Sequence, residues 1–99
     1  MSGAGYAGKP RPAVILQSDT YRDLGSITVS LFTTNEVDAS DFRIPVQPTG
    51  GNGLTTPSWL MADKLMTVPR SKLGRKSGVL SDDDMAALNR AIIVFLGIG

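Results

Sequence analysis

The sequence predicts a small, mainly β domain that ends in one α-helix. Short apolar runs alternate with polar residues and are separated by turns rich in Gly, Pro and Asn, a pattern typical of strands. The last apolar stretch instead repeats at helical spacing. With 99 residues, the chain has room for a single domain. We therefore expect roughly four or five short strands followed by one helix of about four turns.

The N-terminal half begins with a predicted loop and continues in short strands. Residues 1–12 are rich in Gly and Pro, which favours a loop before the first strand. The predicted β region covers residues 13–68 and starts with the apolar run at 13–16. Alternating apolar residues predict further strands at 27–32 and at 42–46. The second of these contains a proline, which cannot donate a backbone hydrogen bond, so we expect this strand to lie at an edge of the sheet or to contain a bulge.

The C-terminal half continues the sheet and then forms the helix. Residues 58–63 and 65–68 are predicted to form one or two further strands. Residues 69–80 are basic, and we expect a loop or a single helical turn there. The helix is predicted over residues 81–96, because Ser81 is a good N-cap, three acidic residues complement the helix dipole and a glycine follows the last apolar residue.

The composition excludes several kinds of catalytic site. The chain contains no Cys and no His, which rules out disulfides, thiolate nucleophiles and Ser-His-Asp sites. No set of carboxylates has the spacing of a metal site, so we predict neither a metal nor a cofactor. Any proton transfer then falls to Asp, Glu, Lys, Arg, Tyr or a hydroxyl group.

The sequence also lacks the signals of a membrane or secreted protein. The longest apolar run, residues 92–96, is far too short to cross a bilayer. The first residues have neither the charged region nor the apolar region of a signal peptide. We therefore expect a cytoplasmic protein with no membrane partner.

Arg11 is the first candidate for a functional residue. It stands between Pro10 and Pro12, and prolines restrict the backbone on both sides of it. A rigidly held guanidinium suits a phosphodiester, because its hydrogen-bond donors are in place before the substrate arrives. The alternative is an ordinary surface Arg whose prolines only end a strand.

Several segments follow one another in an order that matches a known family. Residues 11–17 are RPAVILQ, residues 29–34 are VSLFTT, and residues 52–68 contain GL, S, ADK and TV in turn. These segments resemble the RPxxV segment, the second core strand and the GL…S…xDQ…TV block of the MazF/PemK family, the ribonuclease toxins of type II toxin–antitoxin pairs. Including the stretch at 73–80 and the terminal helix, the resemblance covers about residues 8–98.

The resemblance implies a fold, an activity and partners. The implied fold is a small SH3-like β-barrel with a C-terminal helix, which works as a homodimer. The implied activity is metal-independent cleavage of single-stranded RNA at short sequences, which leaves a 2′,3′-cyclic phosphate and a free 5′-hydroxyl. A cognate antitoxin would block the same groove.

The resemblance also assigns candidate catalytic residues. Arg11 falls on the catalytic Arg of the family, Thr33 on the hydroxyl that accompanies it, and Asp63 on an acidic position that several PemK-like members use. In RNA cleavage by the 2′-hydroxyl, Arg11 would neutralise the phosphorane and Thr33 would orient a phosphate oxygen. Asp63 is the candidate base, with Lys64 as an extra cation. The alternatives are a strand-end hydroxyl for Thr33 and a turn carboxylate for Asp63.

Further residues are candidates for binding RNA. Trp59 is placed to stack on a base, although a lone Trp in a small barrel is more commonly part of the core or of a dimer interface. Basic side chains suit phosphates along a single strand, the alternative being a solvated loop. These basic candidates are Lys9, Lys64, Arg70 and Lys72.

Two departures from the family pattern carry expectations of their own. Family members usually open with a strand that contains RGD, and residues 1–8 of this chain hold too many glycines for a regular strand. We therefore expect the usual first strand to be missing. Met61 stands where some members place a second Arg.

Two other functions remain open at this point. One is a gyrase poison of the CcdB type, which shares the fold and which the Arg-Pro segment argues against. The other is a non-catalytic SH3-like binding module. An RNA-cleavage assay on the purified protein separates all three.

Overall fold

One antiparallel sheet and one helix make up the computed structural model, which describes residues 2–6, 9–16, 19–21, 23–35 and 41–98. Within these ranges the strands are β1 (Ser2–Tyr6), β2 (Lys9–Ile15), β3 (Ser26–Thr33), β4 (Arg43–Val46), β5 (Ser58–Pro69) and β6 (Leu73–Lys76), followed by the helix α1 (Asp82–Leu96). Short 3₁₀ turns lie at Asp19–Tyr21 and Arg70–Lys72. The strand order is β4-β5-β3-β2-β1-β6. The predicted class, mainly β with a C-terminal helix, is confirmed.

An irregularity in the longest strand bends the sheet. Phe32 of β3 pairs with Leu60 of β5, whereas Ser30 pairs with Leu65. Residues 61–64 of β5 therefore lie opposite the single residue Leu31, and the hydroxyl of Ser30 donates to the carbonyl of Met61 at 3.1 Å. Such a bulge increases the local twist and curls a sheet toward a barrel.

Two apolar clusters pack on opposite faces of the sheet. Between the sheet and α1 lie the buried residues Val14, Phe32, Val46, Leu60, Ala62, Leu80, Leu88 and Ala91. The second cluster contains the buried residues Ala13, Ile27, Val29, Leu31 and Met61. The neighbours Ala13 and Val14 belong to different clusters, as expected where successive strand side chains alternate between faces.

Local signals define both ends of α1 as predicted. The Ser81 hydroxyl accepts the backbone N–H of Asp84 at 3.1 Å, and Asp82, Asp83 and Asp84 occupy the first turn. Gly97 ends the helix with φ +71°, a left-handed conformation that glycine adopts without strain. In the described part of the chain, no helix has the length and hydropathy needed to cross a membrane.

The prediction of a loop over residues 1–12, with no first strand, is wrong. Residues Ser2–Tyr6 form β1, which pairs with β2 on one side and with β6 on the other. Glycines weaken an isolated strand, but pairing on both sides supplies the hydrogen bonds that the local sequence does not favour. The proline-rich segment before residue 13 likewise belongs to β2.

Two other boundaries needed the structure to settle them. The predicted basic loop at 69–80 contains the strand β6, which pairs with β1. The one or two strands predicted after residue 58 are the single strand β5. In contrast, the edge position predicted for the proline-containing strand is confirmed, because among the described strands β4 pairs with β5 alone, at one end of the sheet.

A buried carboxamide fixes the loop between β4 and β5. The Asn52 side-chain oxygen accepts the backbone N–H groups of Thr49 and Leu54, and its nitrogen donates to the carbonyl of Gln47. Gly78 packs so tightly on this loop that a Cβ there would overlap the backbone of Asn52. The loop is thereby held against the chain that enters α1.

Candidate functional site

Three predicted site residues lie in one row across the sheet. Ala13 of β2 pairs with Leu31 of β3. Two residues farther along each strand, the same antiparallel register places Arg11 opposite Thr33. Thr33 in turn pairs with Trp59 of β5. Since neighbouring strands lie about 5 Å apart, the backbones of these three residues fall within about 10 Å.

A surface pocket of about 210 Å³ opens next to this row, where β3 ends and β5 begins. It is lined by Pro12, Phe32, Thr33, Thr34, Asn35 and Ser58. The Thr33 hydroxyl oxygen accepts the backbone N–H of Asn35 at 3.1 Å, which is the strand-end role foreseen as the alternative. That bond uses the oxygen and leaves the hydroxyl proton for another acceptor, such as a phosphate oxygen.

Arg11 directly precedes Pro12, one of the residues that line the pocket. Its backbone belongs to β2 and pairs with Ala4 of β1, while Lys9 pairs with Tyr6. The side chains of Lys9 and Arg11 lie outside the described part of the chain. Position 11 is therefore anchored inside a sheet rather than on the loop that the sequence suggested.

Trp59 shares a face of the sheet with Thr33, because residues directly opposite each other on paired strands point the same way. It is half-buried and is not a member of either core cluster. Trp59 thus lies outside both core clusters, and the alternative of a dimer-interface Trp stays open. A half-buried indole on the same face as Thr33 offers a flat surface on which a base can stack.

Asp63 forms an ion pair with Arg43, a residue that sequence reasoning did not single out. The guanidinium Nε of Arg43 donates to Asp63 Oδ1 at 2.7 Å, and Nη2 donates to Oδ2 at 2.9 Å. The two side chains are 13% and 15% exposed. These two parallel hydrogen bonds join β4 to β5 across the bulge.

The ion pair changes the acid–base properties of both groups. Hydrogen bonding from Arg43 lowers the pKa of the Asp63 carboxyl, against the opposing effect of burial. The same hydrogen bond raises the pKa of Arg43. A general base works best when its pKa is close to the working pH, so the ion pair argues against Asp63 as the group that deprotonates a 2′-hydroxyl.

No local pattern could have identified Arg43. Its position follows from pairing with Met61, which places it beside Asp63 although twenty residues separate them. Residues 36–40, which precede this part of the chain, are outside the described ranges. The only available signal was the charge itself, since Arg43 is a charged residue within an otherwise apolar strand.

The predicted basic RNA contacts divide into two groups. Lys64 is exposed in the bulge of β5, next to the Asp63–Arg43 pair. Lys72 lies in the same 3₁₀ turn as Arg70 and precedes Leu73, whose partner Ala4 also pairs with Arg11.

Arg70 instead lies at the far end of β3. Its backbone N–H donates to the carbonyl of Gly25, and its Nε donates to the carbonyl of Leu24. Gly25 immediately precedes β3, and Thr33 ends that strand about 26 Å away at the usual rise per residue. Arg70 thus anchors the loop before β3, and the structure does not bring it to the row.

The residues that the structure describes contain no group of three or more His, Cys, Asp and Glu side chains arranged to hold a metal ion. The acidic residues at the start of α1 instead lie at the positive end of the helix dipole.

Known sequences and structures similar to this chain agree on one family. Residues 2–96 match the family model described as PemK-like, MazF-like toxin of type II toxin–antitoxin system. A probable endoribonuclease MazF from Mycolicibacterium smegmatis is 50% identical over 93 residues, which cover 94% of this chain and 85% of that protein. Endoribonuclease MazF3 from Mycobacterium tuberculosis is 36% identical over 85% of this chain and 80% of its own length.

Solved structures give the same result. Mycobacterium tuberculosis toxin MazF-mt6 superposes with a TM-score of 0.85 at 30% identity and covers 99% of this chain and 97% of its own. A mycobacterial endoribonuclease in complex with its cognate antitoxin has a TM-score of 0.81 at 19% identity, a likeness of fold alone, over 99% of this chain and 91% of its own. The gyrase-poison and binding-module alternatives gain no support from these relatives. The predicted family is confirmed: this chain belongs to the PemK-like, MazF-like toxins of type II toxin–antitoxin systems.

Proposed function

We propose that this chain is an endoribonuclease toxin that cleaves single-stranded RNA at the row formed by Arg11, Thr33 and Trp59. The observation that carries the proposal is the register of three strands, which gathers a guanidinium residue, a hydroxyl and an indole from distant parts of the sequence into one row across the sheet. Family membership and the endoribonuclease relatives support the reaction class.

In the proposed reaction, the substrate's own 2′-hydroxyl gives up its proton to water, and the 2′-oxygen attacks the adjacent phosphorus. The P–O5′ bond breaks and the departing 5′-oxygen takes a proton from water, so that the products are a 2′,3′-cyclic phosphate and a 5′-hydroxyl. Arg11 stabilises the negative charge that builds up on the phosphorane, because a guanidinium keeps its proton and donates two parallel hydrogen bonds. The Thr33 hydroxyl donates a hydrogen bond to a non-bridging phosphate oxygen.

The surrounding residues bind the strand on either side of the reacting phosphate. Trp59 stacks on a base, and Lys9, Lys64 and Lys72 contact phosphates through charge. We also propose that the protein acts in the cytoplasm as a homodimer, and that a cognate antitoxin protein inhibits it by covering this groove. An antitoxin accompanies the mycobacterial structure that shares the fold.

The test is an RNA-cleavage assay on the purified protein in excess EDTA. We expect cleavage at short sequences in single-stranded regions, with products that carry a cyclic phosphate and a 5′-hydroxyl. Mass spectrometry of the fragments distinguishes these ends from a 5′-phosphate. Strict dependence on a divalent ion, or products with a 5′-phosphate, would contradict the mechanism.

A further inference from the structure

We propose that Arg43 binds a phosphate of the RNA beside the reacting one, and that Asp63 is a positioning residue that holds its guanidinium for this contact. The inference rests on the proposed function, because it names a further substrate contact of the same site. It goes beyond the sequence, in which Asp63 was a candidate base and Arg43 had no role.

Arg43 lies close to the proposed site. Pro45 of β4 pairs with Trp59, and Arg43, two residues earlier in β4, pairs with Met61. Residues two apart on a strand share a face, so Arg43 lies on the same face as Trp59 and Thr33. At the usual strand spacings, the backbone of Arg43 is about 12 Å from that of Thr33. A neighbouring nucleotide of an extended strand spans such a distance.

The Arg43 guanidinium has hydrogen-bond donors that Asp63 does not use. A guanidinium has five N–H groups, and Asp63 takes one from Nε and one from Nη2. Within the described ranges, Nη1 of Arg43 makes no hydrogen bond. It is also not one of the buried polar atoms that lack a partner, so it is accessible to solvent. This edge of the guanidinium is therefore available to an oxygen ligand that comes from outside.

The side chain of Arg43 is held in place before RNA binds. Both oxygens of Asp63 hold the guanidinium plane, and the guanidinium carbon of Arg43 lies 5.9 Å from the centre of the Phe42 ring. A long side chain that is already fixed loses little conformational entropy when it binds a phosphate. Asp63 cancels much of the charge of Arg43, and the adjacent, exposed Lys64 restores a positive charge at this edge of the sheet.

The competing explanation is that the ion pair only joins β4 to β5. The two roles differ in what they predict for RNA binding. If the pair is purely structural, removing Arg43 affects folding but leaves the number of phosphate contacts unchanged. If Arg43 contacts a phosphate, removing it lowers the salt dependence of RNA binding. For single strands, each phosphate contact contributes about 0.7 to the slope of log K against log salt concentration.

The experiment measures binding and cleavage separately. An RNA that the protein cleaves is synthesised with 2′-fluoro in place of the 2′-hydroxyl at the cleaved position, and its Kd is measured over a series of salt concentrations. Arg43→Gln should lower the slope by about 0.7 and weaken binding by about tenfold or more. The control is Arg90→Gln, which removes the same charge from the exposed surface of α1 and should leave the slope and the cleavage rate unchanged. An unchanged slope in Arg43→Gln, with only a lower Tm, would overturn the proposal.

A second pair of variants separates positioning from charge and protects against poor folding. Asp63→Asn keeps the charge of Arg43 but no longer holds its guanidinium in place. We therefore expect the wild-type slope of log K against log salt concentration, together with a higher Kd for the RNA. The exchanged double variant, Arg43→Asp with Asp63→Arg, keeps an ion pair between the strands. We expect it to recover the Tm but not the affinity for the 2′-fluoro RNA. Wild-type affinity in the exchanged variant would show that the pair is structural only.

These measurements also distinguish this inference from the proposed function. If the wild-type protein binds RNA but does not cleave it, the endoribonuclease proposal fails. The role of Arg43 is then still tested by the salt dependence of binding to an oligonucleotide with 2′-fluoro at every position. If the wild-type protein binds no single-stranded RNA, both proposals are wrong.

Discussion

Thr33 and Asp63 hold parts of the fold and are also residues of the proposed site. The Thr33 oxygen closes a turn on Asn35, and the Asp63 carboxylate joins β4 to β5 through Arg43. Each side chain is therefore fixed before RNA arrives, which reduces the entropy lost on binding. For this reason, variants at these positions need a stability measurement beside every activity measurement.

Arg11 offers a cleaner separation of activity from stability. We expect Arg11→Ala to reduce the cleavage rate about 10²- to 10³-fold, because it removes the main stabilising charge from the phosphorane. The Tm should hardly change, since the backbone pairing of β2 remains. Arg75→Ala, on the exposed edge strand β6, is the matched control and should cleave like the wild type. Retained activity in Arg11→Ala, or loss of the fold, would refute its assignment.

The Arg43–Asp63 pair should make stability depend on pH. Because the folded-state pKa of Asp63 is lowered, its contribution is present above the ordinary carboxyl value of about 4 and is lost as the pH falls through the folded-state value. Arg43→Gln should therefore cost about 1–3 kcal/mol near neutral pH, and the difference from the wild type should shrink in strong acid. Urea unfolding of both proteins at a series of pH values measures this. A difference that does not vary with pH would contradict the ion-pair origin.

At the scale of elements, the parts with local signals were predictable and the parts that depend on pairing were not. Ser81 and the glycine after Leu96 define α1 from sequence alone, and the alternation in β3 defines that strand. The strand β1 has no apolar pattern, and it forms because β2 and β6 lie on either side of it. Likewise, Arg11 and Thr33 followed from family resemblance, whereas their alignment with Trp59 and the position of Arg43 required the register of the strands.

The contact between the Asn52 loop and the chain before α1 should be sensitive to a single methyl group. Gly78→Ala places a Cβ against the backbone of Asn52, so we expect a loss of about 1–3 kcal/mol. In a domain of this size, that corresponds to a fall in Tm of roughly 4–8 °C for each kcal/mol. Gly25→Ala is the control, because a Cβ there meets nothing within 4 Å. Equal melting temperatures for the two variants would show that the loop yields easily.

At the scale of the whole molecule, α1 leaves apolar surface in contact with solvent. Ile93, Leu96 and Ile98 are 41%, 51% and 72% exposed, although the opposite side of the helix is packed against the sheet. Apolar patches of this kind favour association, and a second copy of the chain is the partner that the family resemblance implies.

We therefore expect a dimer at micromolar concentration in light scattering. Leu96→Lys combined with Ile98→Lys should shift the protein toward monomer, because two charges replace apolar contacts. Lys substitutions at the exposed positions Ala86 and Asn89, two turns earlier on α1, provide the control for added charge on the same helix. A wild-type protein that scatters only as a monomer would contradict the expected dimer.

The position of β1 between β2 and β6 has a consequence for the order of events during synthesis. The strand β1 pairs with β6 only after residues 73–76 have been translated, and α1 must follow before the adjoining core cluster is covered. A nascent chain that already carries Arg11, Thr33 and Trp59 therefore lacks the finished scaffold that keeps their row in register. Ribonuclease activity should consequently arise only once nearly the whole domain has left the ribosome, with no active fragment released on the way.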